Sequence, residues 1–124
     1  MPLEGLFQLI GELRDRVERH ASVLRQNETR TRYALVDPLL TAMGWDLANP
    51  AQVIPEFTVG NARRADYALM RGDEEPVPGL FVEAKALDTA LSTGLSQSIG
   101  YCIEDGVQYF AVTDGMRWEV YDTH

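Results

Sequence analysis

Leu3, Leu6, Phe7, Ile10, Leu13, Val17, Ala21 and Leu24 recur at steps of three and four, with Glu, Arg and Asp between them. That spacing predicts an amphipathic helix over about residues 3–25, with His20 as a solvated helix residue. Asn27 is placed to cap a second helix, with Glu28 in its first turn and Tyr33, Val36, Leu39, Leu40 and Met43 on its apolar face. Pro38 lacks a backbone donor and must kink or restart that helix. Gly44 ends it, Trp45 packs beneath it, and Asn49-Pro50 turns the chain.

The period then changes from helix to strand. Residues 52–59 are β-rich, and Pro55 assigns them to an edge or a bulge. Gly60-Asn61 is a turn, residues 65–70 form a second strand, and residues 71–76 form a polar loop. Gly79 to Leu87 reads as a third strand behind Pro78. A helix over about residues 92–104 turns Leu95, Ile99, Cys102 and Ile103 inward. Residues 108–113 and 116–121 are strands joined through Asp114-Gly115. The predicted order is αα-βββ-α-ββ, an α/β fold with a mixed sheet of about five strands flanked by helices. With no repeat, low-complexity tract or linker, the 124 residues form a single domain. It consists of an N-terminal helix over 1–26 and a core over 27–124. The short tail after the last strand fits a small complete protein or the front of a longer one.

The third strand carries an acid and a base on one side. Strand side chains alternate, so Glu83 and Lys85 share a face with Phe81, while Val82 and Ala84 take the other. An isolated Glu-x-Lys is ordinarily a local ion pair at a strand end. Composition changes that weighting. Of the 11 Lys+Arg residues, Lys85 is the only lysine. A compact ammonium that can give up a proton has been kept where arginine supplies every other cation.

Charge and cysteine content narrow the classes. The net charge of -8 argues against a general-purpose nucleic-acid binder. It leaves room for an enzyme that meets DNA through a local basic patch, and clustered acids are what a divalent metal needs. Cys102 alone excludes an internal disulfide and a cysteine-based zinc site, and suits the cytoplasm. No apolar run approaches the roughly 20 residues of a membrane span, and the N-terminus has no signal-peptide pattern.

Asp66 lies mid-strand just before the connection to the Glu83 strand. If the two strands pair, the carboxylates lie side by side and repel unless a cation or proton sits between them. Such oxygen-rich pairs bind Mg²⁺ with water and substrate phosphate completing the shell. Lys85 would reach the attacking water or the phosphate.

Asp66, sixteen intervening residues, then Glu83-Ala84-Lys85 resembles the PD-(D/E)xK nuclease signature. More narrowly, the chain resembles the N-terminal nuclease domain of type I restriction enzyme restriction subunits and related restriction endonucleases. Asn27 to Arg32 places an acid at a helix start, as that family does. Val36-Asp37-Pro38-Leu39-Leu40 with Gly44-Trp45-Asp46 is similar to its helix end, Arg64-Ala65-Asp66-Tyr67 to its metal-ligand strand, and Gln97 to Tyr101 to its Q-x-x-x-Y motif. The likeness runs from about residue 27 to 121. It departs at Ala65, where proline is usual, and in the first helix, which carries no motif.

The resemblance implies a restriction-endonuclease-like core. Asp66 and Glu83 would bind Mg²⁺ or Mn²⁺, with help from the Ala84 carbonyl and from Glu28 directly or through water. Lys85 would act on the water, and Gln97 would contact DNA or Lys85. Gln97 and Tyr101 share a helix face by their step of four. Arg30, Arg32, Arg63 and Arg64, with Tyr101, are the candidate DNA contacts. Taken singly, each has a plainer role: Glu28 as a charge favoured by the helix dipole, Asp66 as a strand-end acid, Gln97 as helix surface, Tyr101 as core and the arginines as solvated charges. Trp45, Trp118 and the tyrosines are expected in the core.

The expected function is a Mg²⁺-dependent DNA endonuclease of restriction type that hydrolyses phosphodiester bonds with metal-activated water. The alternative is a catalytically silent nuclease-like module that binds nucleic acid or a partner within a larger restriction or defence protein. A plain structural domain with a fortuitous Glu-x-Lys would set Asp66 and Glu83 apart. The expected partners are DNA and further domains or subunits of a restriction system, and the first helix is compatible with a homodimer.

Overall fold

A computed structural model describes residues 3–72 and 77–124. The expected polar loop over 71–76 therefore lies partly outside the described residues. Helix α1 runs Leu3–Leu24, and a short α2 (Glu28–Thr31) continues through one π-helical turn (Arg32–Val36) into α3 (Asp37–Ala42). Strands β1 (Val53–Val59), β2 (Ala62–Met70) and β3 (Pro78–Ala84) follow. Helix α4 (Leu95–Asp105) and strands β4 (Tyr109–Thr113) and β5 (Trp118–Asp122) complete the chain. The five strands lie in sequence order in one sheet. Among the described residues only β3 and β4 pair in parallel, and α4 makes the crossover that this requires. The sheet is mixed and the class is α/β, a restriction-endonuclease-like architecture.

Strand alternation assigns each face. Phe81, Ala68, Met70, Phe110 and Val112 pack under α4 with Cys102, while Val82, Ala84, Tyr67, Leu69 and Ala111 pack under Val36 and Leu40. Both layers bury wholly apolar patches, the largest favourable contribution to folding. Helix α1 lies over the second layer, where Leu13 and Leu24 meet Leu35 and Leu87.

The helix starts are set by local chemistry. The Asn27 side chain accepts the Arg30 backbone N–H at 2.9 Å, closing the N-terminus of α2. Buried Thr31 donates its hydroxyl to the Leu24 and Asn27 carbonyls and so ties α2 to the end of α1. Pro38 cannot donate to the Ala34 carbonyl four residues back, and Arg16 Nη1 donates to that oxygen instead, at 2.6 Å. Pro38 thus restarts a helix, but through a π-turn.

That turn moves the expected face. Tyr33 and Met43, expected inward, are exposed, while Leu35 and Val36 are completely buried. Tyr109 is also largely exposed, Ile103 lies outside the buried face of α4, and Leu3 and Phe7 stand exposed on α1. β1 is an edge strand, as Pro55 requires, and its pairing with β2 slips between Phe57 and Thr58. β2 begins three residues earlier than expected, at Ala62. No helix among the described residues is long and apolar enough to cross a membrane.

Candidate active site

The site forms where β2 and β3 part. Their ladder runs through Tyr67↔Val82 and stops there. Beyond it, the Asp66 side chain replaces backbone pairing: Oδ2 accepts the Ala84 N–H at 2.7 Å. Asp66 is 2% exposed and held rigidly. Ala84 thus meets Asp66 through its amide, at the residue whose carbonyl was expected to assist a metal. Glu83, one residue earlier, stands beside Asp66, and Glu28 approaches from the first turn of α2. One oxygen from each of Glu28, Asp66 and Glu83 lies within 4.8 Å of the others.

This crowding perturbs Glu83 and Glu28. Burial and the neighbouring Asp66 charge, together with a hydrogen bond to Asp66, push the Glu83 carboxyl up to about 7, against the pull of Arg63. Burial, then Asp66, also raises Glu28, and the charges of Arg63, Lys85 and Arg32 oppose that rise.

Two arginines neutralise the cluster. Arg63 Nη1 donates to Asp66 Oδ1 at 2.7 Å and Nη2 to Glu83 Oε1 at 3.3 Å. Its Nε lies 3.8 Å from Glu56 Oε2. Arg32 reaches within 3.8 Å of the same Asp66 oxygen. Arg32 is otherwise fixed: it donates to the Tyr67 hydroxyl at 3.2 Å, pairs with Glu56, and stacks over the Tyr67 ring at 4.7 Å. Tyr67 donates onward to Asp37. Burial works against the Arg32 charge, yet the bonds to Tyr67 and Glu56 outweigh it and hold its pKa above the ordinary value.

The remaining candidates are distributed around this centre. The Lys85 backbone N–H continues the β4 edge by donating to the Thr113 carbonyl at 2.8 Å. Its Nζ donates to the Thr93 carbonyl at 2.9 Å, and its charge is felt at Glu28. Gln97 is exposed on α4. Tyr101 carries the Arg64 guanidinium over its ring at 4.3 Å, and Arg64 also meets Glu104 and Asp105 at 3.4 Å each. Of the four candidate DNA arginines, Arg32, Arg63 and Arg64 are therefore engaged in internal ion pairs. Among the described residues, Arg30 has no such partner. Sequence reasoning missed Glu56, Asp37 and Tyr67 as members of this network. An available signal was the strand polarity, Glu56 facing the Arg63–Tyr67 stretch across a hairpin.

The donor set fits a hard divalent cation. It offers carboxylate oxygens only, within a span that one ion can bridge, and the cluster already attracts cationic groups. Asp66 and Glu83 would be its main holders and Glu28 the third.

No family model matches the chain, and no curated protein matches it. A solved fragment assigned to the HsdR subunit of a type I restriction enzyme from Vibrio vulnificus YJ016 is 25% identical to it, with a TM-score of 0.64. The chain shares its fold with a restriction-enzyme subunit. The match covers 78% of this chain and 21% of that one, so this chain spans about a fifth of its neighbour's length.

Proposed function

We propose that this chain is a divalent-metal-dependent DNA endonuclease domain of the restriction type, of the PD-(D/E)xK kind. The observation that supports it is the approach of the Glu28, Asp66 and Glu83 oxygens to within 4.8 Å, on a fold shared with an HsdR fragment. Mg²⁺ or Mn²⁺ bound there would supply Lewis-acid stabilisation of a phosphate and make a nearby water more acidic. Asp66 and Glu83 would hold the ion, and Glu28 would assist directly or through water. The Ala84 amide locks Asp66 in the binding rotamer, which removes an ordering cost at the moment of binding. Lys85 leaves the Thr93 carbonyl and turns its ammonium to the attacking water or the developing phosphate charge. Exposed Gln97 contacts DNA or Lys85, and Arg30 is available to a phosphate. Tyr101, under the Arg64 guanidinium, would present that cation rather than a bare ring to DNA. The domain would work in the cytoplasm beside further domains or subunits of a restriction system. The exposed Leu3 and Phe7 of α1 offer a surface for one of these or for a second copy.

The test is cleavage of plasmid DNA with Mg²⁺ or Mn²⁺ by the wild type and by Asp66→Ala and Lys85→Ala. Cation-dependent nicking that persists in both variants would remove the assignment. One observation favours the silent-module reading: three of the four arginines offered for DNA are consumed by internal acids. Calorimetric titration with Mn²⁺ separates the two. Binding that is lost in Asp66→Ala and Glu83→Ala supports the enzyme, and no binding supports the module.

A further inference from the structure

We propose that Arg63 is a built-in counter-ion for the acid cluster, displaced outward when a divalent cation binds and thereby released to a DNA phosphate. The inference rests on the metal-site reading above and adds to it an order of events. Asp66 has two oxygens with different fates. Oδ2 is committed inward to the Ala84 amide at 2.7 Å, while Oδ1 faces the cluster and receives Arg63 Nη1 at 2.7 Å. The other arm of the same fork reaches Glu83 Oε1 at 3.3 Å. The guanidinium therefore bridges two of the three carboxylates that would hold a cation. A planar fork suits this role, since it satisfies two carboxylates at once without ordering water. The two cations cannot occupy the position together, because like charges at that separation repel.

Arg63 is also free to leave. Its side chain is 44% exposed, whereas that of Arg32 is 12% exposed and pinned by Tyr67 and Glu56. On displacement Arg63 stays on β2 beside the ion, where a scissile phosphate would lie, and exchanges two carboxylates for the phosphate. Metal binding thus converts an internally spent arginine into a DNA contact, which makes productive DNA binding conditional on the metal. Arg32 remains as the permanent neutralising charge on Asp66.

Calorimetry with Mn²⁺ in the absence of DNA tests this on the 124-residue chain, wild type against Arg63→Gln. The expected result is roughly tenfold tighter binding by the variant, still lost when Asp66→Ala is added. Equal or weaker binding by Arg63→Gln overturns the counter-ion role while leaving the metal site intact. Absence of Mn²⁺ binding in both proteins would overturn the metal reading and this inference with it. Binding by Arg63→Gln alone would support both. A second measurement needs no variant: the Arg63 Nη–H groups that bond Asp66 and Glu83 are followed by NMR in the wild type during titration with Mg²⁺. Faster solvent exchange at saturating Mg²⁺ supports displacement, and an unchanged signal overturns it.

Discussion

Glu83 is the site's acid with a pKa raised into the neutral range. The folded chain holds the proton to about 7, whereas an ordinary glutamate loses it near 4.5. Between those values the folded state binds more protons than the unfolded one, so metal-free stability falls as pH rises through that window. The loss is on the order of 1–3 kcal/mol, read as a lower urea midpoint at pH 8 than at pH 5 with an unchanged slope. Cation affinity runs the other way, because the ligand must be ionised. Mn²⁺ binding is expected to strengthen up to about tenfold per pH unit below 7 and to level off above it, as calorimetry across pH 5.5–8 would show. Lys85→Ala separates two roles at the same scale. It leaves Mn²⁺ binding within about threefold, since its Nζ touches Thr93 rather than an acid. It should lower the proposed cleavage by about 10²-fold or more, consistent with loss of a charge that would act on the reacting oxygen.

At the level of elements, the turn from β4 to β5 sets how closely the π-turn can pack on the sheet. Gly115 has φ +93, and a Cβ built there would meet the Leu35 side chain at 2.5 Å. Gly115→Ala thus combines backbone strain with a clash against a fully buried side chain, and a loss of about 2–4 kcal/mol is expected in denaturant unfolding. Burial opposes the charge of the adjacent Asp114, but N–H groups of Arg117, Met116 and Asp88 outweigh it and hold its pKa below the usual value. Its contribution is present above the ordinary aspartate pKa and disappears as pH falls through the lowered one. Asp114→Asn should therefore cost stability at pH 7 and converge with the wild type in acid. The same turn explains what the sequence left unread. Helical periodicity put Tyr33 and Val36 inside; Val36 is buried as expected, but the π-turn at Arg32–Val36 adds a residue to the turn and brings Leu35 inward in place of Tyr33. No local pattern announces that insertion, apart from Pro38 just beyond it. The strands were more legible, because alternation is local, although β3 stops at Ala84 instead of running to Leu87 and leaves Lys85 beyond its end; the helix ends at Asn27 and Gly44 were legible for the same reason. Asp66 and Glu83 could be named from motif spacing. The Arg63 fork could not, because it depends on where the β2–β3 ladder stops.

Across the whole molecule, charge decides how the domain would approach DNA. A net charge of -8 makes the mean field repulsive to a polyanion. The cations placed to offset it locally are mostly spent: Arg32 on Glu56, Arg64 on Glu104 and Asp105, and Arg63 on Asp66 and Glu83. A divalent ion bound as proposed would change this balance twice, by cancelling charge on the clustered acids and by releasing Arg63. DNA affinity of the domain is therefore expected to require a divalent cation. Fluorescence anisotropy of a labelled duplex in low salt should show no saturable binding in EDTA and clear binding with Mn²⁺ or with a non-cleaving ion such as Ca²⁺. With the ion present, affinity should fall as salt rises with a shallow slope, equivalent to about two or three phosphates. Arg63→Gln should reduce that slope by about one phosphate, and Arg30→Gln by about another. Binding that is equally strong in EDTA would mean that DNA is held by a surface unconnected with the acids, and the coupling between metal and DNA derived from Arg63 would then be lost.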